Sequence, residues 1–205
     1  MNNVAVIMSV YHSDCLEHLE LAVNSILAQT YNNLDLFIFR DGIVNDSMQN
    51  YLDSLSNTDN VFIFNRNNNN GLASSLNILI DNIIPNENYE YIARMDADDI
   101  SRPERINTQV KFLMEHPNID VCGTSCREFG ASFALEEKHL PTEHDELINF
   151  SLIRCPFIHP SVIFRANIFK DRNIRYPIYT QLTEDMALWF ELLSKGYKFA
   201  NINEI

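Results

Sequence analysis

The hydrophobic pattern of the chain alternates between short apolar runs and longer segments with helical spacing. Short apolar runs bounded by polar loops are typical of buried strands, whereas apolar residues that recur every three or four positions are typical of helices with one buried face. The pattern predicts strands at 4–8, 34–39, 61–64, 91–95, 121–123, 161–164 and 198–202. It predicts helices at 16–27, 72–84, 102–116 and 184–195.

Capping signals define two of the predicted helix starts. Asp14 with Glu17, and Ser101 with Glu104, have the form of capping boxes, so we expect helices to begin there. The segment 128–141 has mixed charge and weak periodicity, which is compatible with either a loop or an edge hairpin. That segment therefore receives no predicted element.

Strands that alternate with helices over the first half predict an α/β fold with a mostly parallel central sheet flanked by helices. Ligands of such sheets lie at the carboxyl ends of the strands. Polar stretches follow predicted strands at 9–14, 40–42, 67–70 and 96–99. We therefore expect these stretches to converge on one crevice, although they are far apart in the sequence.

Size and charge limit the partners of such a domain. The chain has 205 residues, 46% of them hydrophobic, which is enough for one domain with a substantial core. Its formal net charge of -13 disfavours a nucleic-acid partner, because phosphate-backbone binding requires clustered Lys and Arg. A phosphorylated ligand would need either a local basic patch or a divalent cation to offset repulsion in its pocket.

The sequence has no apolar stretch of the roughly 18 residues that a transmembrane helix needs, and no signal peptide pattern at its N-terminus. We therefore expect a cytoplasmic protein. Its four cysteines include one C-x3-C pair, Cys122 and Cys126, without a second pair or a nearby His at zinc-site spacing. The cysteines are expected to be reduced structural thiols.

The strongest chemical signal is a D-x-D sequence directly after the strand predicted at 91–95. Asp96, Asp98 and the adjacent Asp99 offer hard oxygen ligands, which suit Mg2+ or Mn2+ better than zinc. A solvated acidic turn is the alternative interpretation. Like charges at a ligand-binding edge raise one another's pKa unless a cation compensates them, so the context favours a metal site.

Extended segments of the chain are similar to the family 2 glycosyltransferases with the GT-A fold. They read VAVIMSVYHSD, AVNSILAQTYNNLDLFIFRDG, NNGLASSLNILI, YIARMDADDISRPERINTQVKFLMEHP, HPSVIFR and TEDMALWFELLSKGY, in the family's order. The resemblance implies a Rossmann-like GT-A sheet in a single catalytic domain over 1–205, with a nucleotide-sugar-binding half at 1–123 and an acceptor-side half at 124–205. Family members usually continue further, so we expect additional segments beyond Ile205.

The resemblance also implies where a nucleotide-sugar donor and its metal bind. Asp41 matches the position that accepts the uracil N–H, which implies a UDP-sugar donor, although the family usually has a second Asp where this chain has Arg40. Asp96 matches the ribose-binding Asp of the D-x-D element, and Asp98 matches the ligand of Mn2+ or Mg2+, with Asp96 as a further metal ligand. The other implied donor contacts are Ser9, Tyr11, Asn70, Gly71 and Arg94.

Some of these residues have ordinary structural interpretations as well. An Asp before Gly is common in turns, so Asp41 is explained equally by local structure, and the asparagine run at 67–70 is compatible with a surface turn. Arg94, Arg102 and Arg105 flank the acidic residues and suit either phosphate contacts or ion pairs with the aspartates. The residues alone leave both interpretations open.

An acidic pair in the second half matches the family's residues near the acceptor. The resemblance implies that Asp185 is the general base, which takes the proton from the acceptor hydroxyl, and that Glu184 is the competing candidate. Acidic residues are also favoured at any helix N-terminus. Trp189 and His159 are expected to be structural, with sugar stacking as the alternative for Trp189.

The implied activity is inverting transfer of a hexose or N-acetylhexosamine from a UDP-sugar to a saccharide or lipid-linked saccharide acceptor, in surface polysaccharide or lipopolysaccharide biosynthesis. This implies a location in the cytoplasm or at the inner face of the cytoplasmic membrane, with peripheral association through a region beyond Ile205. A sugar-nucleotide nucleotidyltransferase is disfavoured, because its glycine-rich basic loop is absent at 9–12. A non-catalytic nucleotide-sugar-binding module is compatible with Arg40 but is disfavoured by the two acidic elements.

Overall fold

A computed structural model describes residues 3–180 and 182–205 of the chain. The strands are β1 (Asn3–Tyr11), β2 (Leu34–Asp41), β3 (Val61–Arg66), β4 (Tyr89–Arg94), β5 (Val121–Thr124), β6 (Ile163–Arg165) and β7 (Phe199–Ile202). The helices are α1 (Leu16–Leu27), α2 (Asp46–Leu55), α3 (Leu72–Ile83), α4 (Arg105–Glu115), α5 (His144–Ser151) and α6 (Glu184–Ser194). Short 3-10 turns at His159–Ser161 and Ala166–Lys170 flank β6.

The strands form one sheet in the order β3-β2-β1-β4-β6-β5-β7. All neighbouring pairs are parallel except those of β6, which runs antiparallel to β4 and β5. The predicted α/β fold with a mostly parallel sheet is therefore confirmed. In the register of the sheet, Tyr11 lies beside Asp41 and Asp41 beside Arg66, while Ile7 lies beside Arg94. The carboxyl ends of β1 to β4 thus share one edge.

Both faces of the sheet are covered, and this explains why the strands read as continuous apolar runs. Successive side chains of a strand point to opposite faces, so Val6 and Met8 of β1 join one core cluster while Ala5 and Ile7 join the other. The first cluster takes apolar residues from α1, α2 and α4. The second takes them from α3, α5 and α6.

Two helices, α2 and α5, were not expected from the hydrophobic pattern. In α2 the buried residues are Met48, Leu52 and Leu55, and the other side chains of the helix include many polar groups. Asn45 caps α2, because its side-chain oxygen accepts a hydrogen bond from the backbone N–H of Met48 at 2.9 Å. Short helices of this kind give too few apolar repeats for the pattern to identify them.

Both predicted capping boxes are wrong, because a tertiary contact holds Ser101 and a local turn holds Asp14. The helix expected after Ser101 begins at Arg105, and Ser101 is buried, with its N–H donating to Ser25 Oγ at 3.0 Å. α1 begins after Cys15, and Asp14 instead accepts a hydrogen bond from the backbone N–H of Tyr11 at 2.8 Å. The loop expected from Ser9 onward starts later, because β1 continues to Tyr11.

The segment 128–141 folds back on itself as a hairpin-like excursion. Cys126 and Lys138 form an antiparallel bridge with backbone hydrogen bonds of 3.1 and 2.8 Å, and the N–H of Glu128 donates to the carbonyl of Leu135 at 2.9 Å. Across the described ranges, no helix combines the length and the apolar character that crossing a bilayer requires.

Candidate functional site

Three carboxylates come together just beyond the end of β4. Ligand oxygens of Asp96, Asp98 and Asp99 lie within 4.8 Å of one another, with Asp98 exposed and the other two half-buried. Oxygen atoms grouped in this way at the carboxyl edge of the sheet are the donor set that Mg2+ and Mn2+ prefer. The residues present therefore fit a divalent cation of the kind expected from the sequence.

The crowding of negative charge in this cluster contributes to raised pKa values of two carboxyl groups, Asp99 and Asp14. Burial, together with Asp96 and Asp98, raises the pKa of Asp99 to about 6. Burial also raises the pKa of Asp14 to about 6, with the charges of Asp98 and Asp96 adding to it and a hydrogen bond from the Tyr11 N–H opposing it. A bound cation would favour the ionised forms and displace these protons.

Asp14 is thus a fourth carboxylate near the cluster. The sequence pattern predicted Asp14 only as part of a helix cap. The resemblance did not place Asp14 in the site, and its hydrogen bond to the Tyr11 N–H depends on the turn after β1. The signal that could have found it is its position in the polar stretch that follows the first strand, at the ligand-binding edge of the sheet.

Arg94 is buried and forms an ion pair with the acidic cluster. Its side chain is 1% exposed and donates hydrogen bonds to the carbonyl of Met95 and to the carboxylate of Asp96. Arg94 therefore forms the ion pair that the sequence left open as the alternative and holds Asp96 from the protein interior, while its donor contact stays a prediction. Arg105 supports the same strand end, since its guanidinium donates to the Arg94 carbonyl at 2.9 Å.

Asp41 connects the ends of β2 and β3 to the start of α3. Its Oδ1 accepts hydrogen bonds from Arg66 Nε at 2.6 Å and from the Asn70 N–H at 3.0 Å, while its Oδ2 accepts from the Gly71 N–H at 2.9 Å. The carboxylate therefore organises the predicted donor loop at Asn70 and Gly71. Gly71 has a φ of 89°, which favours glycine at this turn. The uracil contact of Asp41 stays a prediction.

Ser9 and Tyr11 occupy the last part of β1. Ser9 is half-buried and Tyr11 is 41% exposed at the strand end, next to Asp41 in the sheet register. Arg40, which stands where the family usually has Asp, donates to the Gly42 carbonyl at 2.9 Å and to Asn65 Oδ1 at 3.2 Å. Tyr11 therefore offers an open aromatic surface beside Asp41, and Arg40 links the turn after β2 to the last part of β3.

We expect Asp41→Ala to lower the free energy of unfolding by about 3 to 5 kcal/mol, because it leaves the partly buried Arg66 without its counter-ion. The control is Asp81→Ala, which removes the 61% exposed partner of Arg175 and should cost about 1 kcal/mol or less. Urea unfolding of both variants measures the difference. Equal losses for the two variants would contradict this role of Asp41.

The Asp41 pair also predicts a dependence of stability on pH. Burial opposes ionisation of Asp41, but the hydrogen bonds from Arg66 and Asn70 outweigh it and hold the pKa of Asp41 below its ordinary value of 3.8. Its stabilising contribution is therefore fully present above pH 3.8 and is lost as the pH falls through the lower pKa of the folded state. In strong acid, the free energy of unfolding of Asp41→Ala should therefore approach that of the wild type.

Glu184 and Asp185 form the first turn of α6, and both are half-buried. Asp185 Oδ1 accepts a hydrogen bond from the backbone N–H of Met186 at 2.7 Å, and the thiol of Cys155 donates to Asp185 Oδ2 at 3.4 Å. Burial, followed by the charge of Asp185, raises the pKa of Cys155 to about 11, so this thiol stays protonated and can donate. The Asp185 carboxylate is therefore held by its own helix and by Cys155.

An aromatic pair, half-buried His159 and buried Tyr176, interacts with both acidic elements, the cluster at Asp96 and the pair at Asp185. His159 Nε2 lies 3.1 Å from the hydroxyl of Tyr176, and the carboxylates of Asp96 and Asp185 both act electrostatically on His159 and on Tyr176. Burial, followed by the charge of Arg94, lowers the pKa of His159 to about 4, so the ring is neutral at pH 7. Asp96 and Asp185 thus act on the same two residues, although they are far apart in the sequence.

Trp189 belongs to the core, as expected. It is fully buried in α6 and stacks on Phe164 with ring centroids 5.6 Å apart.

Beside the acidic cluster lies a groove of about 930 Å³, which is lined by Asp98, Asp99 and Ile100 and by Cys126 to Ala131. The groove gives the carboxylate cluster an open approach large enough for a ligand.

The chain matches the model of Glycosyl transferase family 2 over residues 5–175. It is 30% identical over 202 residues to the amylovoran biosynthesis glycosyltransferase AmsE of Erwinia amylovora, covering 98% of this chain and 73% of AmsE. It is 27% identical over 205 residues to the UDP-Gal:alpha-D-GlcNAc-diphosphoundecaprenol beta-1,3-galactosyltransferase of Escherichia coli, covering 98% of this chain and 71% of that enzyme.

The fold is also similar to that of a solved structure, S. aureus TarS 1-349 in complex with UDP-GlcNAc. The TM-score is 0.76 at 17% identity, and the likeness covers 99% of this chain. The chain spans 56% of the TarS chain, so the similarity describes a shared GT-A core and not the whole of TarS.

Proposed function

The chain belongs to glycosyl transferase family 2, and from this membership we propose that it is a metal-dependent, inverting hexosyltransferase. Its donor is a UDP-sugar that carries a hexose or an N-acetylhexosamine, and its acceptor is a saccharide or a lipid-linked saccharide. The observation that carries the proposal is the grouping of Asp96, Asp98 and Asp99 at the carboxyl edge of the sheet. Asp96 and Asp185 also act on the same two residues, His159 and Tyr176.

The carboxylates of Asp98 and Asp96 would hold Mn2+ or Mg2+. When bound, such a cation neutralises the charge that develops on the leaving diphosphate. Arg94 supports this arrangement from the protein interior, because its hydrogen bond fixes the orientation of Asp96. An acidic chain could bind an anionic donor in this way, since the cation supplies the positive charge that the surrounding side chains lack.

Asp185 is the proposed general base. As the acceptor oxygen attacks the anomeric carbon, the bond from that carbon to the diphosphate oxygen breaks on the opposite face, and Asp185 takes the proton of the acceptor hydroxyl. The hydrogen bonds from Met186 and Cys155 hold its carboxylate without neutralising it. Glu184, the adjacent acid in the same turn, is the alternative base.

The names of the relatives support the substrate classes. The Escherichia coli relative is named for UDP-Gal and for a diphosphoundecaprenol-linked acceptor, and AmsE is named for amylovoran biosynthesis. We therefore propose a role in surface polysaccharide or lipopolysaccharide biosynthesis. In this role the protein would act in the cytoplasm, at the inner face of the cytoplasmic membrane.

We expect the chain to prefer UDP over GDP and CDP, because Asp41 and Tyr11 stand where this family binds the uridine. Competition for a labelled UDP in the presence of Mn2+ measures the preference.

Tyr11→Ala should weaken UDP binding by about tenfold through loss of an aromatic surface that can stack on the base. Phe62→Ala is the control, since Phe62 is equally exposed at 41% but lies at the amino end of β3, away from the carboxyl ends of the strands.

Equal affinity for UDP and GDP would contradict the uridine assignment. Equal losses in Tyr11→Ala and Phe62→Ala would remove Tyr11 from the donor site.

A further inference from the structure

Hydrogen bonds hold the backbone around His159, the residue on which both Asp96 and Asp185 act. It begins the 3-10 turn that precedes β6, with Pro160 as the next residue. Ser161 anchors this turn, since its N–H and its hydroxyl both donate to the Ile158 carbonyl at 2.8 Å and its Oγ accepts from the Thr124 N–H at 3.1 Å. The position of the His159 ring is therefore fixed relative to the sheet.

The His159 ring is half-buried and is packed on one side against buried aromatic residues. The ring packs edge-on against Trp189, at 6.2 Å between centroids, and shares a hydrogen bond with the hydroxyl of Tyr176 through Nε2. Trp189 and Tyr176 are fully buried, whereas His159 is half-buried. Its second ring nitrogen, Nδ1, makes no hydrogen bond to the residues that the structure describes. A neutral imidazole with one nitrogen engaged can donate or accept one more hydrogen bond.

The charges around His159 define what could occupy the adjacent space. Arg94, Asp96 and Asp185 all act electrostatically on the ring. In the proposed reaction, Asp96 lies on the diphosphate side of the bond that breaks and Asp185 on the acceptor side. In that reaction the transferred sugar lies between these two carboxylates. Both carboxylates act on His159 and on Tyr176, and of these two polar side chains only His159 is partly exposed.

We propose that His159 Nδ1 forms a hydrogen bond with a hydroxyl of the transferred hexose and thereby selects which sugar is accepted. This inference rests on the proposed function and adds a specificity-determining residue to it. A site that bonds a substrate hydroxyl rejects sugars that lack the hydroxyl or present it in another orientation, because a polar group is then left unpaired.

The test compares two substitutions of His159 with the wild-type protein. His159→Asn keeps a side chain that can hydrogen-bond, whereas His159→Phe keeps a ring and cannot. For each protein we would measure UDP affinity by calorimetry and kcat/KM with UDP-Gal, UDP-Glc and their N-acetylated forms. Tyr176→Phe serves as a structural control, since it removes the hydrogen bond to Nε2 and leaves Nδ1 in place.

We expect UDP affinity to change by less than about twofold in both His159 variants, because UDP carries no hexose. In His159→Phe, kcat/KM should fall by about tenfold for the preferred donor and less for the others, which is the effect of losing one hydrogen bond in the site. His159→Asn should retain more of the wild-type selectivity. Tyr176→Phe should keep the wild-type ranking of donors.

An unchanged ranking of donors in His159→Phe, or equal losses for all donors, would overturn the inference. A parallel loss of UDP affinity would show that His159 only maintains the structure. If the wild-type protein turned over none of the UDP-sugars, the proposed function itself would fail, and this result does not depend on any His159 variant.

Discussion

Asp185→Asn is expected to lower the rate of sugar transfer by about 100- to 10,000-fold and to leave UDP affinity nearly unchanged. The amide keeps the shape of the carboxylate, and its oxygen can still accept the hydrogen bond from the Met186 N–H. It cannot accept the proton of the acceptor hydroxyl. The loss should therefore appear in kcat, measured with saturating donor and acceptor.

Glu184→Gln is the matched control for this experiment. Glu184 is equally half-buried in the same turn of α6, so the substitution removes one charge from the same place. It should retain most of the activity if Asp185 is the base. Near wild-type transfer by Asp185→Asn would eliminate Asp185, and a large loss confined to Glu184→Gln would assign the base to Glu184.

The configuration of the product tests the inverting mechanism with the same proteins. Attack from the face opposite to the diphosphate converts an alpha-linked donor into a beta-linked product. NMR of the anomeric proton of the product distinguishes the two configurations. An alpha-linked product would overturn the inverting mechanism, even if Asp185 proved essential.

Asp98→Ala should lower the transfer rate by about 100- to 1,000-fold, comparable to removing a group that stabilises charge in a transition state. The variant should also need far more Mn2+ for half-maximal activity. The side chain of Asp98 is exposed and forms no hydrogen bond within the described ranges, so the fold should be unaffected. A titration of activity against Mn2+ concentration gives both results.

An exposed aspartate away from the carboxyl ends of the strands provides the control. Asp59 is exposed in the turn before β3, and Asp59→Ala removes the same charge from the chain without touching the cluster. Its activity and metal requirement should match the wild type. The metal role of Asp98 would be wrong if Asp98→Ala behaved like Asp59→Ala.

The strands and the mostly parallel character of the sheet could be predicted because burial on both faces leaves continuous apolar runs in the strands, whereas the hydrophobic pattern did not indicate the order of the strands in the sheet. The grouping of Asp96, Asp98 and Asp99 is local, so adjacent positions in the sequence predict it directly. By contrast, α2 and α5 carry few buried positions, and the pattern could not separate them from loops.

Contacts between distant residues account for what could not be predicted in the site. The ion pair of Asp41 and Arg66 depends on the pairing of β2 with β3, and the sequence shows only an Asp before a Gly. Arg94 sits in an apolar run and is buried there, which its type alone would not suggest. Ser101 looks like a helix cap until its buried contact with Ser25 is known.

The central claim is that this chain uses a divalent cation to transfer a sugar from a UDP-sugar, and the release of UDP tests it most directly. The purified protein would be incubated with UDP-Gal, UDP-Glc and their N-acetylated forms and an acceptor saccharide, first with Mn2+ and then with a chelator. We predict that at least one donor releases UDP, that chelation stops the release and that added Mn2+ restores it. UDP release at the same rate in the presence of the chelator, or no binding and no turnover of any of the four donors, would contradict the account.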